Sequence, residues 1–101
     1  MIEEIGFYHK SVSYRIWVDE AGIGHILILK RINFKTLVAL FEQMHAEIKK
    51  INPDRIHIIF YVPKSIYDEM SANAKEFLEF CQSCIGITFE LVIRGNVGHN
   101  A

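Results

Sequence analysis

The chain is poor in the features that announce a specialised class. Two cysteines among 101 residues cannot build the disulfide framework that holds small secreted folds together. Two prolines and six glycines leave long uninterrupted stretches and exclude collagen-like or proline-rich linker character. A formal charge of -1 gives no electrostatic grip on a phosphate backbone or an anionic bilayer, so neither nucleic acid nor membrane is an expected partner. No apolar run approaches the roughly 18 residues that a membrane-spanning helix needs. The opening residues Met1–Phe7 begin with acids and have no apolar signal-peptide core, which leads to an expected cytoplasmic location.

Half of the residues are hydrophobic and 23% are charged, the balance of a chain that buries a core. A chain of this size buries roughly 60–70% of its unfolded surface without help from a metal. The expected organisation is a single α/β domain over residues 1–94. A polar, glycine-containing tail over 95–101 is expected to be mobile.

Two amphipathic stretches, Asn33–Ile51 and Ser65–Ile85, alternate with short runs of strand-forming residues. Around Ile5–Phe7 a weak alternation allows an additional first strand. Tyr14, Ile16 and Val18 alternate cleanly with Arg15 and Trp17, as in a strand with one buried face. Asp19–Gly24 supplies two glycines for a turn, and His25–Leu29 follows as the second arm of a hairpin. Asn33 suits a helix N-cap, and Phe34, Leu37, Val38, Phe41, Met44, Ile48 and Ile51 form an apolar stripe behind it. Asn52-Pro53 ends that helix.

Ile56–Val62 is nearly continuous in apolar residues, the pattern of a central parallel strand covered on both faces. Ser65 and Asp68 suggest a capping box for a second helix, with Gly86 as its C-terminal cap. Thr88–Arg94 reads as the last strand. The predicted order is therefore β-β-α-β-α-β, a two-layer, four- or five-stranded mixed sheet. Right-handed crossovers stepping in one direction place both helices on one face. The other face is then left for the N-terminal segment or a partner, and a homodimer is its simplest cover.

This order, with a hairpin at Tyr14–Lys30, a helix at Asn33–Ile51, a buried strand at Ile56–Val62 and a serine-containing loop before the next helix, resembles the STAS domain family of anti-sigma-factor antagonists. The resemblance implies a regulatory, protein-binding module. Its bacterial regulators often carry a phosphorylated serine preceded by aspartate after the central strand. Here the loop reads Val62-Pro-Lys-Ser-Ile66, so Ser65 stands without the aspartate. The family's usual final helix is also missing.

Catalytic spacing is absent, and no catalytic residue, metal site or cofactor is expected. Cys81-Gln-Ser-Cys84 has redox spacing but lies in the last turns of a helix, where the dipole opposes a thiolate. The five histidines show no metal-ligand spacing. Two function classes lead, with an enzyme third. The first is a non-enzymatic module that binds a protein partner or itself, with Tyr8, Tyr14, Trp17, Tyr61 and Tyr67 as the aromatics available for an interface. The second is an anion- or small-ligand-binding domain. Ligands collect at the carboxyl ends of parallel strands, where Arg31, Asn33, Lys64, Ser65 and Arg94 would gather.

Overall fold

A computed structural model describes residues 7–95. Eight elements follow in order: β1 (Phe7–Lys10), β2 (Tyr14–Val18), β3 (Gly24–Ile28), α1 (Phe34–Ile51), β4 (Ile56–Pro63), α2 (Lys64–Asp68), α3 (Ala72–Ser83) and β5 (Ile87–Arg94). The five strands form one mixed sheet in the order β1-β2-β3-β4-β5. β1, β2 and β3 run antiparallel to one another, while β4 is parallel to both β3 and β5. The expected α/β architecture is thus present, with a fifth strand at the start and the second helix in two pieces. Residues 1–6 and 96–101, including most of the expected tail, lie outside the described residues.

The hairpin is closed by its own side chains. Asp19 accepts hydrogen bonds at Oδ1 from the amides of Ala21 and Ile23, at 2.9 and 3.0 Å. Gly22 takes φ +84°, a left-handed value that a Cβ would strain. Helix α1 starts where Asn33 accepts from the Thr36 amide at 2.8 Å and ends at Asn52 before Pro53.

Both crossovers, β3-α1-β4 and β4-α2-α3-β5, step one way along the sheet, and α1 and α3 pack on the same face. Ile16, Val18, Ile26, Ile28, Ile58, Phe60 and Val62 supply the inner face, each at most 2% exposed. Leu37, Met44 and Ile48 answer from α1, and Leu78 from α3. Phe41 is the hub: its ring lies 5.6 Å from Phe60, 5.4 Å from Phe89 and 5.1 Å from Phe77, the last edge-to-face. Gly24 is placed where a Cβ would come within 2.7 Å of Ile48 and Met44, so its bare backbone lets α1 sit close to the sheet.

Three local expectations are corrected. Ser65 lies inside α2, so it caps nothing; the cap of the longer piece is Ser71, which accepts from the Ala74 amide at 3.1 Å. Gly86 does adopt a left-handed φ of +89°, but α3 has already ended at Ser83, and Ile85 is 97% exposed. Finally, β4 alternates between buried and half-buried positions along its whole length. Its second face is shielded only by neighbouring side chains, because among the described residues no element lies over that face.

Candidate functional site

The face of the sheet left open by the described elements carries a stacked and hydrogen-bonded group of side chains. Strand parity places Tyr8 and Lys10 of β1, Arg15 and Trp17 of β2, and His25 and Leu27 of β3 on this side. His57, Ile59 and Tyr61 of β4 and Thr88, Glu90, Val92 and Arg94 of β5 complete it. Register then decides which of them meet. Trp17 is directly opposite His25, and their rings stack with centroids 4.8 Å apart and planes 6° from parallel. On the other side of His25 the Tyr61 ring lies 5.9 Å away, again nearly parallel at 7°. Three rings therefore stand in a row across β2, β3 and β4.

His25 is fixed at both nitrogens. Nε2 lies 2.8 Å from Asp19 Oδ2, and Nδ1 lies 3.0 Å from the Tyr61 hydroxyl. A carboxylate can only accept, so Nε2 carries the proton; in the neutral ring Nδ1 then accepts from the Tyr61 O–H. Asp19 thus does two jobs, closing the hairpin through Oδ1 and holding the imidazole through Oδ2. Burial pushes the Asp19 carboxyl upward, but the bonds from His25 and from the Ile23 and Ala21 amides outweigh it and leave the group below its ordinary value. For Tyr61, burial comes first and the charges of Glu90 and Asp19 add to it, raising the phenol against a smaller opposing effect of Arg94. Tyr61 therefore remains a neutral phenol and is no activated nucleophile.

Beside this row His57 donates from Nε2 to Glu90 at 2.7 Å. At the opposite edge Lys10 and Arg15 are cross-strand neighbours, and neither has an acidic partner among the described residues. Arg15 Nε is buried with no hydrogen-bond partner there. The face therefore has a basic edge at β1–β2, an aromatic and apolar middle, and on β5 both a carboxylate, Glu90, and a guanidinium, Arg94.

The five residues expected at the strand ends are not drawn into one cluster. Arg31 pairs with Glu69, and Lys64 pairs with Asp68 at 2.9 Å. The Asn33 side chain is occupied as the α1 cap. Arg31 and Asn33 line one cavity with Glu69 and Ser71. Arg94 lines another with Leu29 and Pro63. Lys64 and Ser65 lie exposed on α2 and line neither. Among the described residues no group of three or more metal-ligating side chains converges. Cys81 and Cys84 are free, and burial, with Cys84 adding a smaller effect, pushes the Cys81 thiol up to about 11. That is the wrong direction for a redox thiolate.

Sequence reasoning named Trp17 and Tyr61 with Tyr8, Tyr14 and Tyr67 as interface aromatics, without setting those two apart, and missed the Asp19–His25–Tyr61 chain that links them. A signal was available: His25 and Tyr61 each fall on the same strand parity as the outward Trp17, and Asp19 opens the turn between the two arms. Compared with known proteins, the chain matches no family model, and no curated protein or solved structure is significantly similar to it. No helix among the described residues is long and apolar enough to cross a membrane.

Proposed function

We propose that this chain is a small non-enzymatic interaction module that pairs with a second copy of itself through the uncovered face of its sheet. The observation that carries this reading is the row Trp17–His25–Tyr61, locked by stacking and by Asp19 on a face that no helix among the described residues covers. Side chains already held in place lose little entropy when a partner arrives. Tryptophan, tyrosine and arginine are also the residues that dominate interface energetics. A second copy suits the layout of the face, because the aromatic row is centred on the middle strand. A two-fold axis along β3 lays the row of one copy over the row of the other, and packed sheets align at roughly 30°.

The STAS-like kinship belongs to this proposal and is supported by the element order alone. A cytoplasmic setting belongs here too, supported by two unpaired cysteines. Anion binding at the strand ends is the weaker reading, because Arg31, Asn33 and Lys64 already have partners. Light scattering coupled to size exclusion tests the proposal directly. Wild type is expected to show a dimer, and Ile59→Glu, at the centre of the face, a monomer. A wild type that stays monomeric to millimolar concentration ends the reading.

A further inference from the structure

On the other layer, away from the sheet face, the geometry points to a binding site for a small aralkylammonium molecule, an aromatic ring on a short alkylammonium arm, in the groove between α1 and α3. The two helices touch through Phe41 and Phe77. One turn further along, the facing residues are His45 on α1 and Cys81 on α3, and Cys81 is too short to close the gap. A groove of about 290 Å³ results, with Ile58 and Phe89 of the sheet at its floor. A cavity of about 150 Å³ is enough for benzene in a protein core. The present one has room for a single ring with a two- or three-carbon arm.

Its walls are the faces and edges of Phe41, Phe77 and Phe89, which favour an aromatic or alkyl body. Only two polar side chains reach the lining, Glu42 and His45, and both come from α1. Glu42 is exposed and His45 half-buried, and neither has a side-chain partner among the described residues. A carboxylate accepts only, and a neutral imidazole offers one acceptor nitrogen. A donor-rich cation therefore satisfies both, whereas an anionic head would be repelled by Glu42. Charge thus selects the head group, while the phenylalanines select the body.

The test is a titration of the full chain with phenethylamine, 2-phenylethanol and phenylacetate, followed by amide and aromatic NMR shifts. The amine is expected to move the resonances of Phe41, Phe77, Phe89 and Ile87. It should bind about two- to fivefold tighter than the alcohol, the factor an exposed ion pair supplies. Glu42→Gln, at an exposed position, should remove that advantage and leave the alcohol unchanged. Cys81→Phe should fill the groove and abolish binding of all three; if that variant does not fold, the Glu42→Gln comparison stands alone. Equal binding of amine and alcohol, or shifts confined to other residues at millimolar ligand, would overturn the proposal. Both results are independent of whether the sheet face self-associates.

Discussion

Asp19 carries more of the local order than any other polar side chain. One carboxylate oxygen closes the β2–β3 turn through two amides, and the other orients His25. Asp19→Asn keeps the shape and removes the charge. It also reverses the chain of donors, since an amide NH₂ facing Nε2 favours the other imidazole tautomer. The expected loss is about 1.5 kcal/mol at neutral pH, the low end of the scale for hydrogen bonds to a charged group because the Asp19 side chain is part-exposed. The sign with pH follows from the folded-state value, which lies below the ordinary 3.8. Stabilisation from a depressed carboxyl is complete above the unfolded value and is lost as pH falls through the folded one. Urea unfolding of both proteins should therefore give a constant gap above about pH 5 that closes below 3.8. A gap that does not narrow as pH falls below 3.8 would assign the effect to the reversed donor pattern and not to charge.

At the scale of elements, helix caps explain both what was legible in the sequence and what was hidden. Helix α1 was readable because three signals agree: Asn33 at the start, an apolar stripe, and Asn52-Pro53 at the end. Asn33→Ala removes the bond to the Thr36 amide and should cost about 1 kcal/mol, lowering Tm by about 4–8 °C. An unchanged Tm in calorimetry would show that the cap contributes nothing. The break between α2 and α3 was hidden because Ile66, Met70 and Ala74 keep a four-residue spacing straight through it. What decides there is Ser71, which restarts the helix without the acidic residue three positions on that marks a capping box. β1 was only faintly visible, since Phe7–Lys10 carries almost no apolar alternation and owes its strand to pairing with β2. For β4, continuous apolarity suggested cover on both faces, whereas its outer residues are half-shielded by cross-strand neighbours such as Glu90 and His25. The candidate site was legible in parity but not in register. Alternation tells which side His25 and Tyr61 occupy, but only strand pairing tells that they touch.

Taken whole, the molecule measures 38 × 32 × 22 Å, and its short axis is the thickness of one helix layer on one sheet layer. The uncovered face is then about 24 Å across five strands and about 20 Å along them, an area of about 500 Å². Standard stable interfaces bury about 800 Å² per partner, so self-pairing through this face should be weak, on the micromolar scale. Weak pairing has a thermodynamic signature that size measurements at one dilution miss. A partner that binds only the folded state stabilises it by mass action, about 2.7 kcal/mol at a hundredfold excess over Kd. Raising the concentration from about 10 μM to about 1 mM should therefore raise Tm by several degrees. Trp17→Ala removes the ring that flanks His25 and lowers Tm at every concentration through lost stacking. The informative quantity is the slope. If the face is the interface, Tm of the variant stops depending on concentration. A slope equal to that of wild type would place self-association elsewhere and leave the Trp17–His25–Tyr61 row with a purely structural role.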